Sequence, residues 1–248
     1  MIQLKTAENI KVIRKAGTIV ADCHKAIAGR IAPGVTTLEI DRFVERFLRE
    51  AGAYPAQKGY KGYPYAICAS VNDVVCHGFP DSVPLVEGDI VTIDMVADVD
   101  GWKADSAWTY GIGKLDRHSE RLLRVARTAL NRGISEAFPG KRLGDVGWAI
   151  QNYVERSGCS VVDSFTGHGI GRYIHEPPQV LHTGLPGFGE RLEPGMVITI
   201  EPIVSEGRPE AHIERDGWTA RTNDRSRAAQ FEHTIAITEQ GPVILTRR

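Results

Sequence analysis

Residues 85–94 read LVEGDIVTID, and residues 192–201 read LEPGMVITIE. The two stretches share Leu, Gly, Thr and Ile at an offset of 107, and each closes on a carboxylate. Strand positions otherwise favour β-branched and aromatic side chains, so an acid ending both copies asks for a reason. A second pair supports the repeat: PGVTTLEIDRFVERFLREAG (33–52) aligns with PGKRLGDVGWAIQNYVERSG (139–158) at an offset of 106. Ile40 pairs with Val146, Val44 with Ile150 and Leu48 with Val154, apolar positions at helical spacing. Gly52 and Gly158 stand where a helix end takes a left-handed residue. Thr36 with Glu39 predicts a capping box for the first copy. An amphipathic segment precedes each copy, at about 6–29 and 116–137. The pattern predicts one α+β domain, 1–248, made of two similar halves (about 1–112 and 113–248). Each half runs helix, helix, antiparallel strands.

Duplicated units pack about a pseudo-twofold axis, which brings equivalent positions to face each other. Asp94 and Glu201 are equivalent and should therefore meet, repelling and raising one another's pKa unless a cation sits between them. Asp100-Gly101 predicts a two-residue hairpin that pairs Val99 with Trp102 and puts Asp105 opposite Val96, diagonal to Asp94. A turn shifted to Val99-Asp100 would oppose the two aspartates directly; in both cases they share a face. RAAQFEHTIAIT (227–238) alternates as a strand and puts Glu232 on one face with Gln230 and Thr234. Any one of these acids alone reads as surface charge. Asp94, Asp105, Glu201 and Glu232 together point to a cation site.

His168, between Gly167 and Gly169, is the candidate nitrogen ligand, since the glycines let backbone approach closely. HEPPQ (175–179) is not a zinc helix, because its prolines forbid one, and no Walker lysine, dinucleotide fingerprint or GxSxG elbow is present. Four carboxylates and one imidazole suit Mn, Fe, Co or Zn, and they exceed what one tetrahedral ion needs. Bridging carboxylates could hold two ions, an arrangement that generates a hydroxide nucleophile and stabilises a displacement.

Composition narrows the alternatives. The chain is 42% hydrophobic and 25% charged with a net charge of −1, which gives no support to general attraction to nucleic acid or anionic lipid. No apolar run reaches membrane-span length, and the N-terminus lacks the apolar centre of a secretory signal. Cys23, Cys68, Cys76 and Cys159 show no CxxC spacing and read as thiols in a reducing cytoplasm.

The runs ICASVNDVVCHGFP (67–80), IDMVADVDGWKADSAWTYGIG (93–113), GHGIGRYIHEPPQVLH (167–182), EPGMVITIEP (193–202) and DGWTARTNDRSRAAQFEHTIAIT (216–238) together resemble the type I methionine aminopeptidases. The resemblance covers essentially the whole chain. It implies the pita-bread fold, two similar halves around a central antiparallel sheet. It implies that Asp94 chelates one metal, that Asp105 and Glu232 bridge two, and that His168 and Glu201 bind the other. His77 and His175 would contact the scissile amide, with His175 supporting the oxyanion and Glu201 shuttling the proton. Read alone, His77 is a packed histidine and His175 a loop residue. Tyr60, Tyr63, Cys68 and Trp218 would line a methionine pocket; Gln57, where a cysteine can occur, and Ile174, where an aromatic can, depart from some members and bear on its fine shape, not on the metal chemistry. Some members also hold a monovalent cation through backbone oxygens near the positions of Asn72 and Val74.

The implied activity is removal of the initiator methionine from nascent chains, with a small second residue preferred. The implied partners are polypeptide N-termini near the ribosome, the protein being a cytoplasmic monomer. Absence of a zinc-binding N-terminal extension, and of room for a large insertion between His168 and Glu232, matches the short bacterial-type form. Proline-specific pita-bread peptidases, a noncatalytic binding protein on the same fold and a calcium module are the competing readings; His168 would serve so hard an ion poorly.

Overall fold

The computed structural model describes residues 2–247. Helices α1 (Ala7–Ala28) and α2 (Thr37–Glu50) precede strands β1 (Tyr54–Pro55), β2 (Cys68–Val71), β3 (Val74–Cys76), β4 (Ile90–Val99) and β5 (Trp102–Gly111). Helices α3 (Arg117–Glu136) and α4 (Leu143–Arg156) follow, then β6 (Ser160–Val161), β7 (Gly167–Gly169), β8 (Glu176–Val180), β9 (Val197–Ile200) and β10 (Ile203–Ser205). The chain ends with β11 (Ala211–Ile213), β12 (Ala220–Thr222), β13 (Ala228–Gln230), β14 (His233–Thr238) and β15 (Gly241–Ile244). Helix, helix, strands therefore occurs twice, and α4 starts 106 positions after α2, the spacing of the aligned sequences.

Local chemistry sets these boundaries. Thr36 and Glu39 form the expected box: Thr36 N–H donates to Glu39 Oε2 (2.8 Å) and Glu39 N–H to Thr36 Oγ1 (3.1 Å), satisfying donors the first helical turn leaves free. In the second copy Arg142 N–H donates to Asp145 Oδ2 (2.8 Å). Both helices are followed by a left-handed glycine, Gly52 (φ +76°) and Gly158 (φ +68°).

The repeated strands β4 and β9 begin 107 positions apart. They then differ. β4 runs through Asp94 to Val99, whereas β9 stops at Ile200, because Pro202 has no N–H to give a ladder. β4 pairs with β5 along one edge and with β2 and then β1 along the other; β9 lies within the order β15-β14-β9-β7-β8. Val99 pairs with Trp102 and Val96 with Asp105, across a turn whose Asp100 and Gly101 both have positive φ, as predicted.

The 227–238 segment is not one strand. It breaks at Phe231-Glu232, where the chain changes partner from β10 to β9. The break frees Glu232 N–H to donate to Ala107 O across the seam between the two sheets (2.8 Å). Side-chain hydroxyls close the rest of that seam. Thr234 Oγ1 receives Asp105 N–H (2.9 Å) and donates to Asp105 O (2.8 Å). Ser106 Oγ donates to Glu232 O (2.8 Å), and Thr109 Oγ1 to Gln230 O (2.7 Å).

Two apolar cores back the sheets, one where α1 and α2 pack on β4, the other where α3 and α4 pack behind β9 and β14. The C-terminal segment crosses between them, bringing the Leu245 carbonyl against Gly17 in the middle of α1. Alanine is about 1 kcal/mol better than glycine within a helix. Here its methyl would strike backbone, which cannot rotate aside, and overpacking costs about 1–3 kcal/mol. Gly17→Ala is therefore expected to destabilise the protein in urea unfolding; a higher midpoint would remove this assignment.

Candidate metal centre

Every site residue expected from the sequence lines one cavity of about 280 Å³, where the two halves meet. Asp94 sits mid-β4, opposite Cys68 on one side and Ala107 on the other. Asp105 projects from β5, Glu232 from the break before β14, and His168 from the short strand between its two glycines. Those glycines are required by space. A Cβ at Gly167 would lie 2.5 Å from Thr199 O, and one at Gly169 would collide with the Pro177 carbonyl.

Ligand atoms of Asp105, His168 and Glu232 all lie within 4.8 Å of one another. His168 is buried, and its Nδ1–H is directed at Gly169 O (3.0 Å), which fixes the neutral tautomer with an open lone pair on Nε2. That Nε2 lies 3.5 Å from Glu201 Oε1 and 3.9 Å from Asp105 Oδ2. Asp94 and Glu201 border the same cavity outside the three-residue cluster, and the Asp94 charge acts on Glu201.

Burial dominates the electrostatics. It pushes Asp94 up to about 6, against hydrogen bonds from Asp105 and Gln57 that favour the anion. It pushes Glu201 up to about 8; the Thr199 hydroxyl opposes this and the Asp94 charge adds to it. Asp105 and Glu232 rise well above the carboxylate range, first from burial and then from the neighbouring acids. The imidazoles move the other way: burial lowers His168 to about 3 and His77 to about 4, and lowers His175 as well. The site therefore disfavours every charged form of its own residues. An external cation would reverse that preference.

The oxygen atoms make the same point. Asp94 Oδ1, Asp105 Oδ1 and Glu232 Oε1 are buried without a hydrogen-bond partner, a costly state for acceptors in a folded protein. Among the described residues, the ion pairs of these four acids are with His168 alone. Carboxylates and one imidazole around one cavity, with buried acceptors left open, fit divalent cations of the Mn-to-Zn series.

In the same cavity, His175 packs against His168 with ring centroids 4.3 Å apart and planes tilted by 57°, and its Nδ1 lies 2.8 Å from Tyr60 Oη. His77 has left-handed backbone (φ +56°) and stands edge-on to Trp218, 6.1 Å away. Tyr63 meets Trp218 in a T-shaped contact at 5.0 Å and shares its one hydroxyl proton between Ile67 O and Gly78 O, both at 3.0 Å. Gln57 is buried beside Cys68; turned to satisfy its amide, it donates to Ala66 O (3.0 Å) and Asp94 O (3.2 Å). Ile174 is buried in the same wall.

Three functional neighbours escaped the sequence reading. Thr199 Oγ1 donates to Glu201 Oε1 (2.7 Å), Gln230 Nε2 to Glu201 Oε2 (3.3 Å), and Glu201 N–H to His182 Nε2 (3.1 Å). Thr199 carried one signal, its identity with Thr92 in the repeat; His182 carried none.

Comparison with known proteins gives the same reading as this geometry. The model of metallopeptidase family M24 matches residues 11–239. Methionine aminopeptidase 1 of Bacillus subtilis is 46% identical over 247 residues, covering all of both chains. The crystal structure of methionine aminopeptidase from Thermotoga maritima superposes with a TM-score of 0.98 at 44% identity, covering all of both chains. The one from Rickettsia prowazekii gives 0.98 at 41%, covering 99% of this chain and 100% of that one. A pita-bread architecture, a carboxylate–imidazole centre at its seam and full-length identity above 40% lead to one conclusion: the chain belongs to metallopeptidase family M24, among its methionine aminopeptidases.

Proposed function

We propose that this protein hydrolyses the first peptide bond of polypeptides that begin with methionine, using two divalent ions held by Asp94, Asp105, His168, Glu201 and Glu232. The observation that carries the reading is the cluster of Asp105, His168 and Glu232 ligand atoms within 4.8 Å of one another, both acids having a buried oxygen without a partner. Ions bound there supply Lewis acidity and a water acidic enough to lose a proton near neutral pH. Asp105 and Glu232 would help to hold both ions, Asp94 one of them, and His168 with Glu201 the other. All of these groups come from a single catalytic domain whose two similar halves each contribute ligands.

The remaining residues handle substrate and protons. With Tyr60 Oη donating to Nδ1, the proton of neutral His175 sits on Nε2, free to be donated to the oxygen that gains charge as the carbonyl is attacked. His77 stands beside the amide nitrogen. Glu201, oriented by Thr199 and Gln230, carries the proton from the attacking water to the departing amine. Tyr60, Tyr63, Cys68 and Trp218 enclose the methionine side chain, whose thioether packs well on aromatic edges. The ions are Co, Mn, Fe or Zn. The natural substrates are nascent N-termini with a small second residue, met near the ribosome by a cytoplasmic monomer. Among the described residues no helix is long and apolar enough to cross a membrane.

Parallel assays on Met-Ala-Ser and an Xaa-Pro peptide test the assignment. Met-Ala-Ser is expected to be cleaved with the larger kcat/KM. Faster cleavage of the Xaa-Pro peptide would make the protein a proline-specific relative, and no release of methionine from any peptide by metal-loaded protein would make it a binding protein.

A further inference from the structure

The reverse face of the strands that carry Asp105 and Glu232 holds a second cavity of about 460 Å³, within the range of small-molecule sites. Side-chain alternation separates the two. Asp105 points into the carboxylate centre, while Trp108 and Tyr110 line the opposite opening, and Phe231 and His233 do the same on either side of Glu232.

The lining is not that of a packing void. Trp108, Tyr110 and Phe231 supply aromatic surface. Lys25, Arg127 and Arg247 border it against one acid, Asp22. The Arg127 guanidinium lies 5.4 Å from the Trp108 ring centroid, so a cation and a flat apolar surface occur together. Trp108 is braced edge-on by Phe231, 5.3 Å away, and by His233, 5.9 Å away.

The polar groups beneath are ordered before any ligand arrives. His24 uses both ring nitrogens, Nδ1 at 2.8 Å from Tyr110 Oη and Nε2 at 3.0 Å from Ser106 O. His233 Nδ1 is 2.8 Å from Thr246 Oγ1, and its Nε2 has no hydrogen-bond partner among the described residues. Excess positive charge makes this a poor receptor for a peptide amino terminus or a metal ion. The volume and the rings exceed what a simple inorganic anion would use.

We propose that this cavity binds a small anionic molecule in which a planar ring carries a phosphate or carboxylate, the ring lying on Trp108 and Phe231 and the anion meeting Lys25, Arg127 and Arg247. Such a ligand would press on the reverse side of the two segments that position Asp105 and Glu232, through the Ser106 and His233 backbone next to them.

Phenyl phosphate is the probe, with phenol and inorganic phosphate as its separated parts. In protein labelled with 15N-tryptophan, the four indole N–H resonances report the location of binding, since Trp108 lines this cavity and Trp218 the catalytic one. Phenyl phosphate is expected to shift Trp108 saturably while leaving Trp218 in place, and to bind more tightly than either part alone. The double variant Lys25→Gln, Arg127→Gln removes two exposed cations and should weaken binding about tenfold. Unmoved Trp102, Trp148 and Trp218 signals in the free variant verify its fold. A Trp108 signal that does not respond, a response confined to Trp218, equal effects from phenol or phosphate alone, or undiminished binding by the folded variant would each overturn the proposal.

Discussion

Asp105→Asn is expected to lower kcat/KM on Met-Ala-Ser by more than ~100-fold while the chain stays folded. Altering even an outer partner of a metal ligand costs 10–100-fold. Asp105 belongs to the Asp105–His168–Glu232 cluster proposed to hold the ions, with one oxygen buried and unpartnered. The fold should survive because burial and the neighbouring acids already disfavour the charged form of this carboxyl, and asparagine has nearly the same size and no charge. The backbone links of residue 105 to Thr234 use no side-chain atom of Asp105 and remain. Metal content should fall together with activity. A folded variant with both ions bound and full turnover would refute the bridging role.

Chelation should produce the second large effect, visible in stability against pH. Glu201 rises to about 8, and Asp105 and Glu232 rise well above their ordinary values. A carboxyl whose folded pKa exceeds its unfolded value of about 4 stabilises the folded chain fully below pH 4, and that stabilisation is lost as pH rises through the folded pKa. Histidines act with the opposite sign. Burial lowers His24 and His233 to about 4 and His182 to about 3, so their contribution is present above 6.5 and lost as pH falls through 4 or 3. The two effects separate above pH 6.5, where these imidazoles are neutral in both states. Between pH 6.5 and 8, each acid held protonated in the folded chain contributes a fall of ~1.4 kcal/mol per pH unit.

For a chain of this length, 1 kcal/mol corresponds to about 2–4 °C in Tm. Protein in chelator should thus lose ~3–6 °C per pH unit across that window for each such acid. Added Mn should flatten or reverse the slope, because the cation takes over the neutralising role of the protons. A Tm in chelator that stays level or rises from pH 6.5 to 8 would mean that these acids are not buried together in the folded chain.

Much of the structure was legible because the sequence states it locally or twice. The capping pair Thr36 and Glu39, the closing glycines 52 and 158, and the Asp100-Gly101 hairpin each depend on residues close together in the chain, and each was found in place. The duplication gave one long-range constraint, that Asp94 and Glu201 approach, and both border one cavity. What stayed hidden depends on contacts between distant segments. Nothing near His182 in sequence indicates that it will accept the Glu201 N–H. The alternation of 227–238 is unbroken in sequence, yet the strand divides at Phe231-Glu232 because two different partners compete for its edges. Gln57 and Ile174 could be named as wall residues only by resemblance, since their burial follows from the meeting of loops far apart in the chain.

The hydroxyl-bridged seam between β5 and residues 230–234 has an evolutionary corollary. Each sheet completes its own ladder, and Asp94 and Asp105 lie on one side of the junction with His168, Glu201 and Glu232 on the other. If both sides descend from one shorter gene product, a single copy carried only part of this set of acids, which came together only where two copies met. Joining two copies in tandem would have replaced a bimolecular encounter by a tether, raising the local concentration of one side about the other and letting their acids diverge into unequal roles.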